Sequence, residues 1–366
     1  MTFVLPPERK TFLKYWKVGI TIFYFLLAVV IVLIVQNEKD ISKRNQTLRM
    51  DTSQVEPGKT PPDPLPDNTD FQQVRIGLYL EGIDTFSIKD SSWSATFYLW
   101  FSWKGDKSVD PGKSFQLVDA KIERKDLIDS YYGTDGTNYQ QYKIVAKFTK
   151  FFNATRAPLD DHMLNIYIED SNRDVSKLRY IADGANNFSS RVNIPGYRIT
   201  GFSTVVKAHT YRTSYGDPRL SDDARKTFSE FAYALTIKRS GLGTYFKLFI
   251  GLFAGVLLTL CSFFIRPSDT GPRYALPSAS YFGIIANAYM THSMLPPSNY
   301  FGLTDLVTGV GLFTISVCVI TSLISGHYFL RKKEEDFSRA LDNLAWKYIG
   351  FGFLAINILM PICAFY

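Results

Sequence analysis

At 366 residues the chain exceeds one ordinary soluble domain, and length alone suggests two. Its 46% hydrophobic and 20% charged residues exclude a disordered chain, a collagen and a disulfide-stapled mini-domain, while a mean hydropathy of -0.04 leaves room for a polar half averaged with an apolar half. The net charge of +7 would suit nucleic acid, but much of the excess lies beside apolar runs and reads as a topology signal, so no nucleic-acid partner is expected.

Residues 1–17 carry Arg9, Lys10, Lys14 and Lys17 and form a basic N-terminus expected in the cytoplasm. Val18–Val35 holds no charge, and at ~1.5 Å per residue it nearly spans a hydrocarbon core of about 30 Å. The run is too long for a signal-peptide core and Gln36-Asn37-Glu38 is no cleavage site, so a transmembrane anchor helix is expected over 18–36. Residues 37–70 are polar, carry Pro57, Pro61, Pro62, Pro64 and Pro66, and read as a Pro-rich tether without material for a core.

From 71 to 240 the pattern favours strands: 74–80, 95–103, 141–148, 164–168, 197–207 and 231–239, with Asp135-Gly136, Gly196 and Gly216 as turns between them. No long amphipathic helix interrupts 74–240, and the expectation is an extracytoplasmic antiparallel β-sandwich. Residues 241–366 contain three more apolar runs, Leu248–Ile265, Leu306–Ser325 and Tyr348–Tyr366. Between the first two lies Leu276–Met294, free of Lys, Arg, Asp and Glu but holding Ser278, Ser280, Asn287, Thr291 and His292. Such a span fits a helix facing water or protein rather than lipid. The expected fold class is thus a β-sandwich domain plus an α-helical four-helix transmembrane bundle, with an additional N-terminal anchor helix. The basic links at 266–275 and 326–347, and the absence of Lys and Arg from 295–303, are consistent with five spans, the N-terminus inside and the C-terminus outside. Cys261, Cys318 and Cys363 all fall in spans and leave the external domain no disulfide.

Several strings then point to a family. Trp103-Lys104-Gly105-Asp106 closes an aromatic strand, Pro158-Leu159-Asp160-Asp161-His162 precedes another, and Lys238-Arg239 precedes the second span. Leu295-Pro296-Pro297-Ser298-Asn299-Tyr300, followed by Asp305, joins two helices. In order and spacing they resemble the pentameric ligand-gated ion channel (Cys-loop receptor) family from Val74 to the C-terminus. Lys150 and Leu164 stand where the eukaryotic branch has bracketing cysteines, so the likeness is to the prokaryotic branch, and the anchor helix is an addition.

That resemblance implies a homo-oligomer, a pentamer, in membrane lipid, as a multi-pass protein of the plasma membrane (a bacterial inner membrane), gated by an unknown small-molecule ligand. It implies coupling through Asp160, Arg239, Pro296, Tyr300 and Asp305. Tyr211 and Tyr215 are candidates for ligand contact, with ordinary surface packing as the plainer reading. In the family register the pore helix opens at Arg273, and the axial stripe is Ala275, Ala279, Phe282, Ala286, Tyr289 and Ser293. Phe282 falls where the family keeps a hydrophobic ring, a constriction that closes by dewetting. Arg273 matches the basic residue of anion-selective members, or else simply sets topology. Pro277 suggests a helix starting at Leu276 or bending there. With Tyr289 on the axis, it leaves a non-conducting scaffold as the alternative. His292 reads as an interfacial histidine satisfied by a neighbour, or as a group titrating near neutral pH.

Chemistry is not expected. The four histidines lie in separate segments without metal-ligand spacing, no hydrolase or nucleotide-binding motif is present, and no cofactor or enzymatic activity is implied. The adjacent Asp160, Asp161 and His162 read as a structural loop.

Overall fold

A computed structural model describes residues 5–52, 70–213, 216, 218, 225–296 and 301–365. The chain divides into two compact units. One is made of Met1–Asp40, Ala154–Asp160 and Gly241–Tyr366, the other of Ile41–Asn153 and Asp161–Ser240.

The helical unit contains the first part of α1 (Pro7–Met50), then α3 (Gly243–Cys261), α4 (Thr270–Ser293), α5 (Leu303–Leu330) and α6 (Glu335–Phe365). Among the described residues four helices are long and apolar enough to cross a membrane: α1, α3 with its short extension to Phe264, α5 and α6. Their apolarity makes this a membrane protein by physical character, and α4 is the less apolar member. Small residues bring α3 and α4 together. A Cβ at Gly255 would lie 3.4 Å from the Ser280 carbonyl and from Ile284, and one at Gly251 would meet Asn287 at 3.7 Å. This is the close helix approach that small residues four apart permit in a membrane. Asn287 also donates to the Leu248 carbonyl at 2.8 Å.

Helix α1 packs along α5 and α6. Phe23 stacks on Phe313 at 4.6 Å, and the Tyr24 hydroxyl meets Thr314 at 3.0 Å. The Tyr24 ring lies so close to Gly352 that a Cβ there would approach it to 2.5 Å. Lower on the same helix, Arg9 pairs with Glu334 at 2.7 Å and lies over the Tyr328 ring at 4.6 Å. The anchor expected over 18–36 is therefore longer at both ends. Pro7 suits a first helical position, and Glu38–Met50 contains no Gly or Pro to stop the helix, so the tether expected from residue 37 begins only after Met50. Its proline-rich part, 53–69, lies outside the described residues.

The β-rich unit has two sheets. The strands are β1 (Gln72–Ser87), β2 (Ser92–Lys104), β3 (Phe115–Val118), β4 (Ala120–Tyr132), β5 (Thr137–Thr149), β6 (Asp161–Asp170), β7 (Leu178–Ala182), β8 (Asn187–Phe188), β9 (Tyr197–Tyr211) and β10 (Lys226–Arg239); the short helix α2 (Pro111–Ser114) precedes β3. One sheet runs β4-β5-β2-β1-β7, with β8 also on β1, and the other runs β3-β6-β10-β9. Ile76, Phe97, Phe101 and Ile144 of the first sheet share a core with Ile166, Ile168, Phe231 and Tyr233 of the second. Period-two alternation sets this up, since every second residue of β2 and β5 is buried. All six expected strands are present. Four more were not expected, among them β4, whose AKIERKDLIDSYY is charged and exposed because it is the edge of its sheet.

The last ten described residues of α1 belong to this unit. There Gln46 donates to Asp161 at 3.1 Å, and Lys207 donates to the Arg49 carbonyl at 2.9 Å, satisfying one of the orphan carbonyls of the helix end.

Candidate functional site

Two residue sets in α4 have the same four, three, four, three, four spacing. Arg273, Pro277, Ser280, Ile284, Asn287 and Thr291 are buried, while Ala275, Ala279, Phe282, Ala286, Tyr289 and Ser293 are all exposed. The sets are offset by two residues, about 200° at ~100° per residue, so they occupy opposite faces. Arg273, Ser280, Asn287 and Thr291 turn inward, and the mostly apolar stripe turns away from its own unit, with Phe282 71% and Tyr289 79% exposed. An outward apolar face suits lipid, a neighbouring copy or a dewetted lumen; an inward polar face suits a span that hydrogen-bonds to its neighbours.

Arg273 departs from expectation. Its side chain is 0% exposed and makes a bidentate pair with Asp342 of α6 at 2.8 and 2.9 Å, while its Nε donates to Ser322 of α5 at 2.7 Å. It lies on the face opposite the stripe. As a correction, its charge is neutralised inside the helical unit, where it cannot offer a ring of positive charge to passing anions. Of the two expectations at Pro277, a start at Leu276 is not met: α4 begins at Thr270, six residues earlier, and contains the proline, which leaves the Arg273 carbonyl without its usual helical donor.

At its other end α4 is tied to α5. His292 Nε2 lies 3.1 Å from Asp305, and the Asp305 carboxylate accepts from the Gly302 N–H at 2.8 Å, capping α5. Pro296 is buried, and Tyr300 lies outside the described residues. The segment Ala154–Asp160, in which the Ala157–Pro158 peptide is cis, belongs to this same unit. Its Thr155 carbonyl accepts from Leu303 N–H at 2.6 Å, and a Cβ at Gly302 would meet that carbonyl at 3.0 Å. Arg156 donates to the Ala364 carbonyl in the last turn of α6 at 3.5 Å, where the helix dipole favours a cation. Burial lowers the Arg156 pKa, against the opposing pull of Asp160 and Glu38. Thr155 and Arg156 were not anticipated. Their signal in sequence is slight, a lone charge in the run FFNATRAPL.

Asp160 thus groups with the helices, whereas Asp161 and His162 begin β6 in the β-rich unit. His162 is buried among the rings of Phe86, Phe152 and Tyr197. Arg239, at the end of β10, stacks over Tyr197 at 4.2 Å.

Tyr211 brings attention to a second cluster. Its hydroxyl donates to Glu169 at 3.0 Å, and its ring lies 4.5 Å from that of His209 and 5.7 Å from that of Phe228. Glu169 also accepts from His209 Nδ1, whose other neighbour is Glu230 at 3.4 Å. The hydrogen bond to Glu169 raises the His209 pKa, against desolvation. Tyr215 lies outside the described residues. Sequence spacing missed this cluster because its members come from β6, β9 and β10 and meet only through strand register.

Compared with known protein families and with curated proteins, the chain matches none.

Proposed function

We propose that this chain is the subunit of a homo-oligomeric membrane channel of the pentameric ligand-gated type, with a receptor-like β-sandwich outside the membrane and a four-helix bundle within it. In this reading α4 lines a central pore, the N-terminus is cytoplasmic, and the extra helix α1 anchors the bundle. One observation carries it: the inverted amphipathicity of α4, with Arg273, Ser280, Asn287 and Thr291 buried in its own unit and the mostly apolar stripe Ala275, Ala279, Phe282, Ala286, Tyr289 and Ser293 exposed. A stimulus sensed by the sandwich reaches the pore helix along the chain itself. Strands β5 and β6 flank the 154–160 segment, whose Thr155 carbonyl holds the start of α5, and Asp305 there holds His292 of α4. Displacement of that segment shifts the balance between two helix packings.

Reconstitution of the full chain into planar bilayers tests this reading. Channel-like currents, together with a closed ring of copies in detergent, are expected. A ring without current under any stimulus supports the alternative, a non-conducting receptor-like scaffold. That alternative is favoured by the burial of Arg273 on the face opposite the stripe and by the bulk of Phe282 and Tyr289 upon the stripe.

A further inference from the structure

We propose that Glu169, His209 and Glu230 form a binding site for a divalent transition-metal cation of the zinc type on the outer face of the β3-β6-β10-β9 sheet. The proposal does not depend on the channel reading. Strand register builds the site: Glu230 of β10 is directly opposite Lys207 of β9, His209 follows two residues after Lys207 on the same face, and Glu169 of β6 lies one step beyond the paired Ile168 and Phe231, beside Glu230. Register makes Phe231 and Ile168 the next pair, and both point into the core, so the acidic pair points away from it.

Two carboxylates facing each other across an antiparallel pair repel, and here both are nearly fully buried, Glu169 at 0% and Glu230 at 4% exposure. Such an arrangement is stabilised by positive charge, which Lys207 and the His209 ring supply in part and a divalent cation would strengthen. Lys207 stands at 4.0 Å from Glu230 and is also engaged with the Arg49 carbonyl, so its charge is shared along the edge of the cluster. The ligand atoms of Glu169, His209 and Glu230 lie within 4.8 Å of one another. A tetrahedral zinc ion with bonds of about 2.0–2.2 Å holds its donors roughly 3.3 Å apart. His209 Nδ1 and Glu230 Oε2, at 3.4 Å, already meet that spacing. Nδ1 and Glu169 Oε1 are closer and hydrogen-bonded, so a cation entering between them would replace the shared proton and push the partly exposed imidazole away from Glu169.

The surroundings resemble a supporting shell. Tyr211 Oη donates to Glu169 Oε2 at 3.0 Å and Gln116 Nε2 reaches the same oxygen at 3.5 Å, so Oε1, now bonded to His209 Nδ1, is the oxygen a metal would take over together with that nitrogen. One imidazole and two carboxylates suit zinc, cobalt or manganese ahead of calcium or magnesium, which take all-oxygen cages. Water would complete the coordination.

The test uses full-length protein in detergent, stripped with chelator and titrated with cobalt(II) chloride while visible absorption is recorded. Saturable growth of d–d bands, displaced by zinc but not by magnesium, is expected. Glu169→Gln and His209→Asn should each weaken cobalt affinity about tenfold or more, and His292→Asn should leave it unchanged. Circular dichroism establishes that each variant is folded, and Glu230→Gln replaces any that is not. The proposal is overturned if no saturable band appears, or if folded Glu169, His209 and Glu230 variants bind cobalt as the parent does.

Discussion

Phe282 and Ile284 are two residues apart on α4 and face opposite ways, so truncating each to alanine should separate pore behaviour from folding. Ile284 is 0% exposed and packed in the helical core; Ile284→Ala should cost about 2–5 kcal/mol, as deletion of a buried branched side chain does. Phe282 is 71% exposed and its ring meets only Tyr281 edge-on at 6.0 Å among the described aromatic contacts. Scaling the roughly 3–5 kcal/mol of a fully buried phenylalanine by the hidden fraction leaves about 1 kcal/mol for Phe282→Ala. In thermal melts of detergent-solubilised protein, Ile284→Ala should lower Tm by an amount on the order of 5–15 °C, and Phe282→Ala by only a few degrees. In bilayers the order reverses, with Phe282→Ala raising basal current because an apolar constriction has lost its rings. An unchanged basal current in a ring that conducts, or a melt for Phe282→Ala as depressed as that for Ile284→Ala, would refute the assignment of the stripe.

Removing either partner of the Arg273–Asp342 pair strands a buried charge, so Asp342→Ala should destabilise by about 3–5 kcal/mol in a detergent melt, while Arg273→Met with Asp342→Leu should recover most of the loss. Gly352→Leu must displace the Tyr24 ring; the expected cost is about 1–3 kcal/mol, read as a lowered Tm in a detergent melt. Burial raises the phenol pKa of Tyr180 and of Tyr233, so the folded β-rich unit holds those protons more tightly than the unfolded chain. Their contribution is present below about pH 10 and is lost as pH climbs through the raised folded values. Tyr180→Phe should soften that alkaline loss with little effect at neutral pH, since the Tyr180 hydroxyl has no hydrogen-bond partner among the described residues; denaturant melts across the alkaline range would show it.

Legibility in the sequence followed burial pattern. Strands β1, β2, β5, β6, β9 and β10 all pack a face on the core and carry alternating or β-branched signals, whereas β4 is an edge whose charges mimic a loop. The stripe of α4 was legible because helical spacing is local: Ala275 to Ser293 needs no knowledge of any other segment. Arg273 was misread for the converse reason. Its partner Asp342 is 69 positions away, and no local pattern says whether an arginine at a helix start faces outward or inward. The length of α1 is hidden in the sequence because polarity after Val35 resembles the end of a helix, although no Gly or Pro between Val35 and Met50 stops one. The Glu169–His209–Glu230 cluster depends on the register of three strands, which composition does not encode.

The Arg273–Asp342 pair also constrains how the protein is made. Arg273 is made 69 positions before Asp342, so until α6 packs into the unit its guanidinium can reach Ser322 and the Ile265 carbonyl but no carboxylate. A chain truncated before α6 would leave that buried charge unneutralised, at a cost of about 3–5 kcal/mol to the helices that remain. A late helix supplies the charge on which the packing of an earlier one depends.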